Sequence, residues 1–223
     1  MFDDIASRAA PAPAGQSLKD RLLFAAERVV AQRGFAGATV QEIHRAAATR
    51  NASAIHYHYG SLEGLLAAVF QSRTVRLDLA TMRRSAEVEG IVAPLVRALA
   101  VFLEPRAEGN HYLRFLERAL IETRLARTFV PREVMAQWEV AEALLARLLA
   151  ASLPPRLVSI RLAFARTHFI SGLAQVEAWL ESGEGNGALL PMLVQAVIDA
   201  TVAILSAPVT AALAREIAVV DQR

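Results

Sequence analysis

Apolar residues recur every three or four positions along most of the chain, which is the spacing of amphipathic α-helices. A first helix is predicted from its N-cap Ser17 to Arg33, and Gly34 ends it. Leu22 and Val29 belong to its buried stripe. No run of alternating apolar and polar residues with β-branched enrichment occurs, so no strand is predicted. The pattern indicates an all-α protein.

Two short helices joined by a tight turn are predicted next. Residues 39–42 (TVQE) have the form of a capping box, in which a Thr and a Glu satisfy each other's free backbone donors. After a break, Asn51 is expected to cap a second helix from 52 to about 58, with Ile55 and Tyr59 facing the core. This arrangement is typical of a helix-turn-helix motif, whose second helix lies in the DNA major groove, or of a helical hairpin without special purpose.

The residues of this pair resemble the signature of the TetR family of bacterial transcriptional regulators. The likeness lies in residues 39–43 and in residues 53–61, where a small residue, an aliphatic, aromatics and His precede a Gly turn and Ser61. It covers residues 1 to about 70. The resemblance implies an N-terminal three-helix DNA-binding domain followed by a larger helical domain for effector binding and dimerisation.

The resemblance also implies which side chains meet DNA. Thr39 would contact phosphate at the start of the first helix of the pair, and the second helix with the turn before it would carry the recognition surface. The predicted DNA-binding residues are Thr39, Val40, Arg50, Asn51, Ser53, Ala54, His56, Tyr57 and His58. Three positions depart from the family pattern: His56 stands where Tyr is frequent, Tyr59 where Phe is usual, and Leu62 where a Lys commonly touches the DNA backbone.

We expect three parts along the chain. Residues 1–16, which contain two Pro and a Gly, are predicted to be a flexible arm. Residues 17–62 would form the helix-turn-helix domain, and residues 63–223 the helical effector-binding and dimerisation domain. A fourth helix is predicted to begin after Ser61 and to continue to about Arg84, so it would link the two domains physically.

The second domain is predicted to contain several more helices. They span about 90–103, 109–127, a segment beginning at Pro131, and about 156–181 after a Pro-Pro pair. The last of these carries two apolar stripes, although a single core contact needs only one. The following stretch, 188–214, holds a single charge, Asp199.

Such an apolar stretch is typical of a membrane span or of a helix buried at a subunit contact. A charge near its centre and two prolines favour the second interpretation. We therefore predict no membrane insertion and a homodimer formed through about 156–181 and 188–206. A two-fold dimer is also what a helix-turn-helix needs to read a palindrome.

Composition excludes several kinds of chemistry. The chain of 223 residues has no Cys, so it has no disulfide, thiolate nucleophile or Cys-based metal site. Its 54% hydrophobic content excludes a disordered chain. The 24 Lys and Arg against 22 Asp and Glu would not by themselves suggest nucleic acid. All the basic residues except Lys19 are Arg, a bias that suits phosphate and guanine recognition but also follows from a GC-rich genome.

The second domain offers candidate ligand-binding side chains and no catalytic pattern. The candidates, which would line a cavity between helices, are Arg114, Phe115, Trp138, Phe164 and His168. Each is also explained by packing, and His168 by the role of a hydrogen-bonded core histidine. No dinucleotide-binding, P-loop, nucleophile-elbow or H-E-x-x-H motif occurs, so no catalytic residue, metal or cofactor is predicted.

These patterns predict a cytoplasmic DNA-binding transcriptional regulator that is not an enzyme. It would bind a palindromic double-stranded operator as a homodimer and act as a repressor released by a small apolar or amphipathic effector. The alternative from another class is an all-helical small-molecule-binding protein or enzyme without a nucleic-acid role.

Overall fold

The structure, a computed structural model, describes residues 16–106, 109–126, 128–183 and 187–221. Within these ranges the regular elements are helical, as the sequence predicts. The predicted arm 1–16 lies outside them except for Gln16. The α-helices are α1 (Leu18–Arg33), α2 (Val40–Ala46), α3 (Ala54–Tyr59), α4 (Leu62–Ser72), α5 (Leu79–Arg84), α6 (Glu89–Ala100), α7 (Tyr112–Ile121), α8 (Thr123–Ala126), α9 (Arg132–Leu149), α10 (Pro155–Ser182), α11 (Leu190–Ser206) and α12 (Ala211–Asp221).

Helices α1 to α3 form a small unit, here called the headpiece, which packs on α4. As predicted, Ser17 caps α1, and its hydroxyl accepts a hydrogen bond from the Asp20 N–H at 3.2 Å. Gly34 ends α1 with a φ of 72°, a value that favours glycine. The headpiece core contains Leu22, Val30 and Ile43, all fully buried. Three short helices thus share one small apolar core.

The predicted continuous fourth helix is wrong, because α4 ends at Ser72. The next residue, Arg73, turns inward, and its Nε donates to Glu27 Oε2 of α1 at 2.9 Å with both side chains buried. A buried guanidinium needs such a partner. The chain becomes helical again only at α5, where Asp78 caps the helix by accepting from Thr81 N.

The helix predicted over 109–127 is also divided. It begins later, at Tyr112, and α7 ends at Ile121, with Glu122 as a joint (φ −91°, ψ 43°) before the short α8. The predicted end at Arg127 lies outside the described residues. The Glu122 side chain reaches back to the loop between α1 and α2, where its carboxylate accepts from backbone N–H groups. The break between α7 and α8 therefore lies where Glu122 contacts a loop that is distant in sequence.

The long helix α10 begins and ends within one residue of its prediction. Its first apolar stripe is buried, whereas Ile160 and Phe164 of the second stripe remain 47% and 63% exposed in the single subunit. The predicted run 188–214 is divided into α11 and α12 around Pro208. These outer faces leave apolar surface for a further partner.

One helical segment in the described part of the chain, Gly187–Ser206, is long and apolar enough to cross a membrane, with a mean hydropathy of 2.0. One side of it packs against α10 and α6. On that helix Gln195 accepts from Arg97 at 3.3 Å and donates to Asp199 at 2.8 Å. These polar side chains bond to other groups of the protein. Only the length and the apolar composition of the segment indicate a membrane span.

A buried ionic cluster holds the beginning of α7 against α10. Glu177 is almost fully buried and accepts from the backbone N–H groups of Leu113 and Arg114 at 3.0 and 3.1 Å, and from Arg114 Nε at 3.0 Å. Burial raises the pKa of Glu177, and these hydrogen bonds oppose that rise. Its carboxylate therefore acts as the N-terminal cap of a helix more than sixty residues earlier in the chain.

The same cluster contains His111, whose Nδ1 lies 2.8 Å from Arg114 Nη2 and 3.9 Å from a Glu181 carboxylate oxygen. Because the guanidinium can only donate, Nδ1 accepts and the imidazole is neutral. Burial is the main cause that lowers the His111 pKa to about 4, and the Arg114 charge adds to it against the opposing effect of Glu181. The 3.9 Å approach to Glu181 is therefore not an ion pair at neutral pH.

His111 is expected to make the fold sensitive to acid. Its pKa is about 4 in the folded protein against an ordinary value of 6.5, so below pH 6.5 only the unfolded chain takes up this proton. Stability should fall between pH 6.5 and 4, by at most about 1.4 kcal/mol per pH unit. Thermal unfolding midpoints of wild type and His111→Gln from pH 7.5 to 5 should converge as pH falls; parallel curves would contradict this.

Candidate nucleic-acid interface and cavity

The start of α2 is held by half of the predicted capping box. Thr39 Oγ1 accepts from Glu42 N at 3.2 Å. The Glu42 carboxylate does not complete the box but pairs with Arg45 at 2.5 Å and with Arg33 at 3.0 Å. Its pKa is lowered, chiefly by the hydrogen bond from Arg45. Glu42 thus ties the end of α1 to α2 and leaves Thr39 exposed at a helix N-terminus.

The turn between α2 and α3 differs from its prediction. Asn51 does not cap the helix: its Oδ1 accepts from Ser53 N at 3.1 Å in a local turn, and α3 begins two residues later than predicted, at Ala54. Ala48 has a φ of 50°, an uncommon value for a residue with a side chain. Asn side chains often stabilise such turns by bonding to a backbone N–H two residues on.

Contacts with α1 hold α3 in place. Ala54 and Ile55 are buried in the headpiece core, and the Tyr59 hydroxyl donates to the Lys19 carbonyl at 2.7 Å. Burial raises the pKa of Tyr59 to about 12, so the hydroxyl stays protonated as a donor. His56 Nδ1 bonds the Gly60 carbonyl at 2.7 Å and so helps to close the helix. The helix has only six residues, and these contacts set its direction.

The opposite side of this pair of helices is a solvent-accessible surface, here called the recognition face. Tyr57 is 82% exposed, and its ring meets that of His58 edge-on at 4.9 Å between centroids. Of the predicted DNA-binding residues, the structure brings these to the surface: Thr39, Val40, Arg50, Asn51, Ser53, His56 and Tyr57, with His58 half-buried beside them. Ala54 is the exception, because it is fully buried and positions α3 against the core.

Two basic residues beside this face were missed by the sequence reasoning. Lys19 is exposed on the first turn of α1, with its ammonium 6.0 Å from the centre of the Tyr59 ring. Arg45 is exposed on α2 beside Glu42. The sequence singles out Lys19 as the one lysine of the chain, but no pattern in it assigns Lys19 or Arg45 to DNA contact.

The second domain contains a cavity of about 520 Å³ that is open to solvent on one side. Its wall is mainly apolar and includes Phe70, Tyr112, Trp138 and Phe169. Polar groups also reach it, among them Arg73 and an ion pair between Arg166 and Glu142 at 3.0 Å. A volume of this size with apolar walls and a few polar groups is typical of small-molecule sites.

Of the five ligand-binding candidates, the structure places only Trp138 on the cavity wall. Arg114 is in the ionic cluster with Glu177. Phe115 is fully buried against Phe35, with 5.3 Å between ring centres. Phe164 projects from α10 to solvent, and His168 on the same helix is half-buried, away from the cavity wall. Spacing along a helix cannot tell which side a cavity occupies.

Within the described ranges, no group of three or more His, Cys, Asp or Glu side chains could hold a metal ion. The recognition face offers hydrogen-bonding groups and rings, and the cavity offers mainly apolar contact with a few polar groups.

Comparison with known proteins bears on the headpiece. Residues 22–69 match the family model described as bacterial regulatory proteins, tetR family. The matched residues include α2, α3 and most of the recognition face. No curated protein matches the chain. Among solved structures, the chain is similar to a TetR family transcription regulator from Marinobacter aquaeolei VT8, at 20% identity and a TM-score of 0.45, over 82% of this chain and 94% of that one.

The hydrogen bond from Tyr59 to Lys19 is expected to stabilise the headpiece measurably. Tyr59→Phe removes the hydrogen bond from a half-buried hydroxyl to the Lys19 carbonyl, so it should lower the free energy of unfolding by about 0.5 to 1.5 kcal/mol in urea. Tyr57→Phe, at a ring that is 82% exposed, is the matched control and should change stability little. Equal losses in both variants would show that the Tyr59 bond does not hold α3.

Proposed function

We propose that this chain, which belongs to the TetR family of bacterial regulators through its residues 22–69, is a homodimeric transcriptional repressor whose binding to a palindromic operator is released by a small molecule. The observation that carries the proposal is the recognition face: a short helix held from behind by core contacts, with rings and hydrogen-bonding groups directed to solvent. The protein would act in the cytoplasm, where its DNA is found.

The recognition face supplies both kinds of contact that a DNA reader needs. Tyr57, His58 and Ser53 would meet base edges in the major groove, since their side chains offer donors, acceptors and apolar ring surface. Thr39 at the start of α2 and the ammonium of Lys19 would meet phosphates on the flanking backbone. Base contacts would set sequence choice, and phosphate contacts would supply much of the affinity.

A dimer would double this short footprint. One six-residue helix reaches only a few base pairs, whereas two such helices about 34 to 36 Å apart read two half-sites on one side of DNA. In the subunit, α10 leaves Ile160 and Phe164 exposed, and only 28% of the Gly187–Ser206 segment is buried. These apolar faces are adjacent, because α10 packs on α11. We assign them to a two-fold contact with a second copy.

The cavity would hold the effector. Its aromatic wall and its volume of about 520 Å³ suit a largely apolar or amphipathic molecule. The polar groups that reach the cavity would orient such a ligand.

Tyr57→Ala should weaken binding to duplex DNA taken from upstream of the protein's own gene by about tenfold or more, because it removes the most exposed ring of the recognition face. Fluorescence anisotropy gives the dissociation constants. Tyr57→Phe should keep most of the affinity, and Glu133→Ala, exposed at the start of α9, should keep all of it. Thermal unfolding of each variant should match wild type.

The salt dependence of the same measurement separates DNA binding from other association. The logarithm of the binding constant should fall by about 0.9 per logarithmic unit of salt for each phosphate neutralised. A flat salt response, or wild-type affinity in Tyr57→Ala, would remove the recognition face from the proposal. Absence of any duplex binding would leave a small-molecule-binding protein without a nucleic-acid role.

Phe164→Glu should convert the dimer to monomer, since it places a charge in the proposed apolar contact. Ile121→Glu is the matched control: Ile121 is 66% exposed against 63% for Phe164, but it lies on α7, outside that contact. Sedimentation velocity at micromolar concentration should give a dimer for wild type and for the control. A monomeric wild type, or a dimeric Phe164→Glu, would overturn the assignment of this face.

A further inference from the structure

The joint between α7 and α8 makes direct contact with the headpiece. The Glu122 carboxylate accepts from Phe35 N at 3.2 and 3.1 Å through its two oxygens, and from Ala36 N at 3.3 Å. Four residues earlier, Arg118 Nε lies 3.5 Å from the Ala31 carbonyl of α1. Arg118 and Glu122, four residues apart, therefore bind the end of α1 and the loop after it.

Space for this carboxylate depends on Gly34. A Cβ added at Gly34 would lie 2.1 Å from Glu122 Oε1, closer than side-chain atoms approach in proteins. Beside it the ring of Phe35 is inserted into the second domain, against Phe115 at 5.3 Å and Phe129 at 5.7 Å. The contacts of this loop residue are thus with rings of the second domain.

Helix electrostatics alone do not explain this arrangement. Glu122 lies between the C-terminus of α7, where a carboxylate is unfavourable, and the N-terminus of α8, where one is favourable. Its position is explained by the two backbone N–H groups of the loop, which would otherwise lack a protein acceptor at this contact. The contact therefore serves the relation between the two domains.

The same joint forms part of the cavity wall. Ala119 and Leu120 precede Glu122, Thr123 and Ala126 follow it, and all four line the cavity. A ligand pressing on this wall would act on the residues on both sides of Glu122. Because N–H···O hydrogen bonds span about 2.7 to 3.2 Å, a shift of about 1 Å at the joint would break the bonds between Glu122 and the loop.

We propose that the Glu122 carboxylate is the contact through which occupancy of the cavity controls the headpiece: a ligand displaces the α7–α8 joint, withdraws Glu122 from Phe35 N and Ala36 N, and frees the headpiece to leave its DNA-binding orientation. This inference rests on the proposed function, and it names the regulation of the same cavity. It requires that occupancy of the cavity changes the DNA affinity of the headpiece, and that this coupling free energy is lost when Glu122 is removed.

A cavity-filling substitution provides a probe without an identified ligand. Ala119→Trp adds an indole inside the cavity, whereas Ala136→Trp adds one on the exposed side of α9 as a control. In the full-length protein, hydrogen–deuterium exchange of the Phe35 and Ala36 amides should become about tenfold faster in Ala119→Trp and stay unchanged in Ala136→Trp. In Glu122→Ala the exchange should already be fast, and Ala119→Trp should add nothing. Glu117→Ala, on the same helix, should behave as wild type.

A double-mutant cycle on DNA affinity tests the consequence. Ala119→Trp should weaken duplex binding by about tenfold, a coupling of about 1.4 kcal/mol. Combined with Glu122→Ala, it should bind no more weakly than Glu122→Ala alone. Glu122→Leu, which has a similar size but no acceptor oxygen, carries the same cycle if the alanine variant does not fold.

The outcomes separate the two proposals. Additive effects of Ala119→Trp and Glu122→Ala on DNA affinity, or unchanged exchange at Phe35 and Ala36 in Ala119→Trp, would overturn the role of Glu122. If wild type binds no duplex but its exchange responds as expected, the coupling stands and the DNA-binding function fails.

Discussion

The constraint on which the rest of the structure depends is the shortness of α3. A helix of six residues is not stable by itself in water, so its direction must come from what it packs against. Ala54 and Ile55 supply the apolar contact and Tyr59 the hydrogen bond to α1. These contacts give the recognition face a rigid support, while its outer side chains make few contacts within the protein. A rigid support of this kind is what a site needs if a small number of side chains are to recognise DNA.

Buried charges determine how the helices follow one another. Arg73 turns in to Glu27 where α4 ends, Glu122 turns to the loop after α1 where α7 ends, and Glu177 caps α7 from α10. Each charge leaves water only because it gains partners from a distant part of the chain. The first two contacts connect the headpiece with the larger domain, and the third lies within the larger domain.

The larger domain combines two apolar features with different consequences. The cavity has a mainly apolar wall with several aromatic rings, whereas the outer faces of α10 and α11 expose apolar side chains in the single subunit. Exposed apolar area of that kind is unfavourable unless it is covered. In the proposed dimer a second copy would cover it, and dimer geometry and cavity occupancy would then both act on the spacing of the two recognition faces.

Periodicity and capping residues in the sequence were sufficient to determine the helical class, the start of α1, the two short helices with Ile55 in the core, and the bounds of α10, because these depend on local backbone preferences and on one buried stripe. The resemblance of residues 39–61 to the TetR family agrees with the family-model match at 22–69. Tertiary structure alone decided that α4 ends at Ser72, that Ala54 is buried, and that Trp138 rather than Phe164 meets the cavity. Those features depend on partners many residues away in the chain, and no local pattern encodes them.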